Sequence, residues 1–357
     1  MNSPIERRVW GPPGTGKTTS LVDAATKAAE RFGDDQISIC SLTNAAIREA
    51  TSRSIPIDPE NLTTLHARCK RSLDAPAPAE SSMAEFLMDY KKYDNDFSIP
   101  PTLREHTKDD KNERAMMGGM TYFDQAQIFR QQLIPESEWK DNKVIELNKD
   151  WLYWCRGKGI MDFTGWLEAA MEIRSLPRQH IVYVDEAQDH TPLQLAVLRT
   201  WNTKHLVLIG DDDQNLYEWS GAIPDRFYTP ELPPDRERVL GQSYRVPRAA
   251  HSLASNIVSR LIKRRTKEYT PRDFDGSVVK SSYRLKDARD GEPMTELGYN
   301  YPDKTQMILT SCSYMLEDII SFLRSVGAPF HNPYRKSNHK WNPIGSKAAN
   351  NAKGYLL

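Results

Sequence analysis

Gly11-Pro12-Pro13-Gly14-Thr15-Gly16-Lys17-Thr18 keeps the spacing G-x-x-x-x-G-K-[S/T]. That spacing suits a polyphosphate cradle. The glycines let backbone N–H groups curl around a triphosphate, and the positive end of the following helix adds to the pull. Lys17 reaches the β- and γ-phosphates, and the Thr18 hydroxyl holds Mg²⁺. The other reading is an ordinary glycine turn before a helix. The flanks decide between them: Ile5 to Trp10 reads as a short strand, and Lys17 to Phe32 as an Ala- and Lys-rich helix stopped by Gly33. The expected nucleotide contacts are Gly11, Pro12, Pro13, Gly14, Thr15, Gly16, Lys17, Thr18 and Thr19, with ATP the expected ligand.

A triphosphate site needs a second acid for its metal. Val182-Tyr183-Val184-Asp185-Glu186-Ala187-Gln188-Asp189 supplies one. The apolar residues place Asp185 at a strand's C-terminal end, where open parallel sheets bind ligands. Asp185 is the expected Mg²⁺ ligand, usually through water. Glu186 is the expected general base. A third polar segment, Gly210-Asp211-Asp212-Asp213-Gln214, again follows an apolar strand. Gln214 can hydrogen-bond a γ-phosphate or the water that attacks it. Tyr217 and Trp219 offer flat faces on which bases stack, or else they pack into the core.

The elements that must position these groups alternate strand and helix, which means a parallel α/β sheet. Strands are expected at Ile37–Ser41, His180–Val184 and His205–Ile209, and helices at Asn44–Ser52 and Leu193–Trp201. Residues 68–175 are polar, rich in Lys, Asp, Glu, Met and aromatics, and read as a mostly helical insertion. Past a proline-rich linker at Tyr228–Pro234 a second α/β unit is expected. It would contain Val239–Leu240, a helix from about Arg248 to Ile262, a strand at Met307–Thr310 and a helix at Ser313–Val326. The net charge of the 357 residues is zero, which leaves room for a local basic groove. Arg260, Lys263, Arg264, Arg265 and Lys267 form a basic run that either is a solvated face or touches phosphates. The four cysteines form no C-x-x-C pair, so free thiols in the cytoplasm are expected. No apolar run of about 18 residues is present, so no membrane span is expected.

Together these segments resemble the UvrD/Rep/PcrA branch of the superfamily 1 helicases. Gly11–Thr18 resembles its motif I, and Ser41-Leu42-Thr43-Asn44-Ala45-Ala46, continuing to Arg53, its strand-touching motif Ia. Thr63-Thr64-Leu65-His66-Ala67 resembles the T-x-H-S/A element, and Asp185-Glu186-Ala187-Gln188-Asp189 the D-E-x-Q-D form of motif II. Gly210 to Ala222 resembles the family's G-D-x-x-Q segment, with Ser220 where arginine is usual. Gln242-Ser243-Tyr244-Arg245 resembles motif IV, and Gln306–Thr310 with Leu316–Phe330 a strand and helix of the second core domain.

The resemblance implies RecA-like P-loop NTPase core domains with a helical insertion. The first core domain would comprise 1–67 and 176–230, the insertion 68–175, and a partial second core domain 231–330. Residues 331–357 would begin a further subdomain or form a tail. It implies an ATP-dependent, 3′→5′ DNA helicase or translocase acting on single strands, as on a duplex with a 3′ tail. Lys17, Glu186, Gln214 and Arg245 would be catalytic, with Arg245 on the γ-phosphate. Thr43, Asn44, Thr64, His66, Tyr217 and Trp219 would touch DNA. Asn44 can equally cap the helix it opens, and His66 can equally be structural.

Two departures stand against the resemblance. Only ten residues precede Gly11, so the glutamine segment that reads adenine is missing, and Tyr244 is left as the candidate for stacking on the base. No H-x-A-K-G-L or A-L-T-R-A stretch appears, so motifs V and VI are not found. The motif VI arginine is an arginine finger, worth about 10³–10⁵ in rate. Three explanations follow: a truncated helicase, which is favoured; a protein partner that supplies motifs V and VI; or a reduced, ATP-gated binder of single-stranded DNA with little turnover.

Overall fold

The structure is a computed structural model that describes residues 3–42, 55–93, 121–173, 179–280, 307–310, 315–325 and 330. The expected helix at Asn44–Ser52 lies outside these residues, as do Thr43, Asn44, Arg53 and Cys312. The chain divides into two compact units, Met1–Ser277 and Val278–Leu357.

The first unit is built on an all-parallel sheet of six strands: β1 (Ile5–Trp10), β2 (Ile37–Ser41), β3 (Leu62–Thr64), β4 (Ile181–Val184), β5 (His205–Gly210) and β6 (Glu237–Val239). They lie in the order β3-β2-β4-β5-β1-β6. Helices cover both faces, so the central strands are apolar nearly throughout, as parallel sheets require. Alternation within each strand sends side chains to two different cores. Val182, Val184, Leu206 and Leu208 pack with Leu193, Val197, Leu198, Trp201 and Phe227 on one face. Ile37, Ile39, Tyr183 and Ile209 pack on the other face against Leu21, Ala25, Ala28 and Ala29 of α1 (Lys17–Phe32). The fold is the α/β, RecA-like P-loop class.

The connection from β3 to β4 carries the helical layer: α2 (Leu65–Ser72), α3 (Met83–Asp89), α4 (Tyr122–Gln131), α5 (Asn142–Lys158) and α6 (Phe163–Ile173). Its own core joins Phe86, Tyr93, Phe123, Trp151 and Trp154. Local signals set the ends. Thr121 and Asp124 form a reciprocal cap on α4, and Gly159 closes α5 in the left-handed region at φ 66°. Beneath it, Arg130 is paired with Asp162 at 2.6 Å and Glu168 at 2.7 Å, and the Trp151 indole N–H donates to Asp162.

Next come α7 (Pro192–Thr200), α8 (Pro224–Tyr228) and α9 (Arg248–Val258). Thr191 caps α7 with Gln194, and its hydroxyl also donates to Gln131 Oε1 of α4 at 2.7 Å. Helix α9 stops four residues before the expected Ile262. The chain beyond it is drawn away by ion pairs from Arg264, Arg265 and Lys267 to acidic groups of the sheet and its loops. The short strand expected near Val239 is β6, and it pairs with β1 of the first sheet. In the second unit α10 (Leu316–Ser325) buries Ile319 and Ile320. Met307–Thr310 is not a strand. Met307 and Leu309 are exposed, and no ladder partner stands beside them among the described residues. No helix among the described residues is long and apolar enough to cross a membrane.

Candidate active site

Because all six strands run parallel, the loops at their C-terminal ends emerge on one edge of the sheet. Across that edge lie, in order, Thr64–His66 after β3, Leu42 after β2, Asp185–Asp189 after β4, Asp211–Gln214 after β5, the phosphate loop after β1 and Gly241–Arg245 after β6. The residues expected to touch DNA at Thr64 and His66 therefore fall at one end, and those expected to touch nucleotide fall toward the other.

The phosphate loop leaves β1 with Gly11 N–H bonded to Gly210 O at 2.9 Å. Gly14 and Gly16 sit at φ 71° and 80°, where a side chain is strained, and Gly16 opens α1. Thr15 braces the turn by donating its hydroxyl to Pro12 O at 2.7 Å. Lys17 folds back over Gly11: its ammonium donates to Gly11 O at 3.0 Å, and a Cβ on Gly11 would lie 2.0 Å from Lys17 Cγ. The glycine is therefore what lets the lysine lie along the cradle. Thr18 is half-buried at the helix start and Thr19 is exposed.

Directly after β4, Asp185 is buried, and its N–H is bonded to Cys40 O at 3.0 Å. Glu186 follows in the left-handed region at φ 48°, ψ 47°, a conformation costing a non-glycine residue roughly 1–2 kcal/mol. The turn carries its carboxylate to 3.9 Å from the Lys17 ammonium. Gln188, to which no role was assigned from sequence, braces this loop. It donates to Glu186 Oε2 at 3.0 Å, accepts from Asp211 N at 3.0 Å, and its backbone carbonyl accepts from Asn215 at 2.6 Å. Gly210 leaves it room, since a Cβ there would lie 2.4 Å from Gln188 Oε1. Asp189 accepts from Leu216 N at 3.3 Å, and burial pushes its carboxyl up to about 6.

Glu186, Gln188, Asp189, Gln214 and Tyr217 line one cavity of about 220 Å³, together with Ser41, Leu42 and Leu216. Tyr217 and Trp219 stand side by side, ring centroids 6.0 Å apart, and Trp219 is 65% exposed. That exposure excludes core packing for Trp219. The turn after them, at Gly221, faces the C-terminal end of α4, where a Cβ on the glycine would lie 3.5 Å from Gln131 Cβ and 3.8 Å from Ile128 Cγ2. Thr64 caps α2 by accepting from Ala67 N at 3.3 Å. His66 is half-buried with its ring edge-on to Phe163, and burial pushes its imidazole down to about 4, so it is neutral at pH 7.

The segment after β6 closes on the phosphate loop. Ser243 is buried and donates to Pro13 O at 2.8 Å, and Tyr244 N–H donates to Gly14 O at 2.9 Å. A Cβ on Gly14 would lie 2.5 Å from Arg245 Cβ. Arg245 and Tyr244 are thus brought to the rim of the cradle, and the Tyr244 ring is 72% exposed, open to stacking. Ser243 was given no role from sequence; its small side chain directly before two expected contacts, Tyr244 and Arg245, was the signal.

Three residues of the basic run, Arg264, Arg265 and Lys267, are turned onto acidic groups of the chain. Arg264 forks onto Asp213 at 2.7 and 2.6 Å, Arg265 pairs with Glu237, and Lys267 is buried among Asp211, Asp212 and Asp213. Burial holds the thiols of Cys40, Cys69 and Cys155 in the protonated form, raised to about 11, 12 and 12.

A triphosphate fits this donor set: a glycine cradle with left-handed turns, a lysine along it and an arginine at its rim. The Thr18 hydroxyl and the Asp185 carboxylate are hard oxygen donors of the kind Mg²⁺ takes.

Comparison with known proteins agrees. Residues 6–231 match the family described as UvrD/REP helicase N-terminal domain. The chain is 29% identical over 137 residues to the probable DNA helicase II homolog of Mycoplasma capricolum subsp. capricolum, covering 34% of this chain and 18% of that protein. It is 31% identical over 128 residues to DNA helicase II of Escherichia coli (strain K12), covering 31% of this chain and 18% of that protein. The matched region thus spans less than a fifth of either relative. With the match running from β1 to the end of α8 and including both the cradle and the acidic loop, the chain belongs to the UvrD/REP helicase N-terminal domain family.

Proposed function

We propose that this chain is the ATP-hydrolysing core of a DNA helicase or translocase that moves 3′→5′ along single-stranded DNA. The observation that carries the reading is the approach of Lys17, on the cradle, to Glu186, on the acidic loop, with Gln214 in the same cavity as Glu186. The two relatives are a probable DNA helicase II homolog and a DNA helicase II. Extending that activity to this chain is part of the proposal.

In this mechanism the N–H groups of Gly14 to Thr18 and the Lys17 ammonium hold the triphosphate. Thr18 and Asp185 would hold Mg²⁺, which would draw charge from the phosphate oxygens. Glu186 accepts the proton of the attacking water, Gln214 orients that water, and Arg245 answers the charge on the γ-phosphate. Tyr244 stacks on the base. Single-stranded DNA runs over Thr64, His66, Tyr217 and Trp219, and the family resemblance adds Thr43 and Asn44 to its contacts. Closure of a second core domain on ATP steps the strand.

The test is steady-state ATP hydrolysis with and without single-stranded DNA, beside Lys17→Ala, followed by unwinding of duplexes with a 3′ or a 5′ tail. DNA-stimulated turnover that Lys17→Ala abolishes, with unwinding from the 3′ tail, supports the reading. Turnover equal to the Lys17→Ala background overturns it for this chain alone. ATP-dependent DNA affinity in that case identifies an ATP-gated binder, and recovery with an added protein identifies a partner-completed motor.

A further inference from the structure

Three consecutive carboxylates, Asp211, Asp212 and Asp213, converge within 4.8 Å of one another after β5, and two of them are buried. Such a cluster is unstable without a cation. The chain supplies its own. The Lys267 ammonium lies 2.8 Å from Asp211 Oδ1 and 3.0 Å from Asp213 Oδ2, and it is hydrogen-bonded to Asp212. Burial works against its charge, but the aspartates outweigh burial, and its pKa ends above the ordinary lysine value. Arg264 forks onto Asp213, and the Arg265 N–H donates to Asp212 Oδ2 at 2.7 Å.

Asp211 divides its oxygens. Oδ1 takes Lys267 and the Asp213 N–H at 3.3 Å, while Oδ2 accepts from Gln214 Nε2 at 2.6 Å. A carboxylate only accepts, so Gln214 must turn its NH₂ toward Asp211. Its carbonyl oxygen is the group left for the cavity shared with Glu186. An acceptor there suits the O–H of a water and not a phosphate oxygen. The segment bearing Lys267 is also tied to the phosphate-loop clasp: Ser243 N–H donates to Thr270 O at 2.8 Å, and Thr270 N–H to Gly241 O at 2.9 Å.

We infer that Lys267 is a positioning residue for Gln214: by fixing Asp211 it turns the glutamine carbonyl into the cavity, so that Gln214 serves the attacking water. The inference rests on the proposed hydrolysis at this site and adds to it a residue that touches neither nucleotide nor DNA.

The test compares wild type, Lys267→Met, Gln214→Ala and the double variant. Circular dichroism checks folding, a fluorescent ATP analogue reports nucleotide affinity, and kcat reports turnover. Lys267→Met is expected to lower kcat on the order of tenfold to a hundredfold. Its nucleotide Kd should stay within about twofold, and the double variant should be no slower than Gln214→Ala alone. Losses that multiply in the double variant overturn the inference, as does a fall in affinity matching the fall in kcat. If Lys267→Met does not fold, Lys267→Arg takes its place in the cycle, because it keeps the charge but not a compact ammonium.

A second readout needs no turnover. The Gln214 side-chain NH₂ resonances, assigned by their loss in Gln214→Ala, should exchange slowly with water in wild type and faster in the Lys267 variant. Unchanged exchange overturns the inference. Wild-type turnover no higher than that of Lys17→Ala counts against the hydrolysis reading, and the exchange measurement then decides the Lys267 question by itself.

Discussion

The Lys17 ammonium stands 3.9 Å from the Glu186 carboxylate while donating to Gly11 O at 3.0 Å. One lysine thus spans the gap between the loop after β1 and the loop after β4, across the intervening strand β5. The two side chains have separable tasks. Lys17→Ala should lose both nucleotide binding and turnover. Glu186→Gln, nearly equal in size, should keep nucleotide binding and lower kcat by about 10²–10⁴. Titration with a fluorescent ATP analogue beside steady-state kinetics checks both. A Glu186→Gln protein with wild-type kcat would remove Glu186 from the role of base.

Gly14 carries a conformational and a steric requirement at once. Its φ is 71°, and a Cβ would lie 2.5 Å from Arg245 Cβ and 2.8 Å from Ser243 Oγ. Gly14→Ala should destabilise the fold by about 1–3 kcal/mol. It should also raise KM for ATP by dislodging the Tyr244–Arg245 clasp. Thermal melting and kinetics on the same preparation report the two effects.

Trp219 supports little of the fold, since most of its ring is in solvent. Trp219→Ala should change stability by no more than about 0.5 kcal/mol. Single-stranded DNA affinity should weaken by about 1–3 kcal/mol, the worth of one stacked base. Fluorescence anisotropy with a labelled oligonucleotide at fixed salt measures it. Unchanged affinity would take Trp219 out of the strand path.

His190, directly after the acidic loop, is wholly buried, and burial pushes its imidazole down from 6.5 to about 4. Between those values the unfolded chain binds a proton that the folded chain does not. The contribution is therefore full above pH 6.5 and is lost as the pH falls toward 4. At pH 5 the loss is about 2 kcal/mol at about 1.4 kcal/mol per unit. His190→Leu should lessen the fall in urea midpoint between pH 7 and pH 5. An identical fall in both proteins would show that His190 does not titrate this way.

The cradle and the acidic pair were legible in sequence because each is a contiguous run whose residue types and neighbours point to one chemistry. The central strands were legible because burial on both faces leaves them apolar. What was not legible depends on residues far apart. Lys267 lies 55 residues beyond Asp212, and a basic run looks the same whether it faces solvent or carboxylates. β6 has three residues and holds its place only through its ladder with β1, so periodicity assigned it to another unit. Gln188 carries contacts to Asp211 and Asn215 that no spacing rule announces, because both depend on how β4 and β5 lie side by side.

Gln131 lies beside two loops. Its side chain accepts the hydroxyl of Thr191, which caps the helix following the acidic loop. Its Cβ lies 3.5 Å from where a side chain on Gly221 would begin, in the turn after the aromatic pair. The helical layer is thus hydrogen-bonded to the segment after the acidic loop, while the aromatic turn faces the same residue with a glycine that makes no side-chain contact there. Movement of α4 would reach the acidic loop through that hydrogen bond.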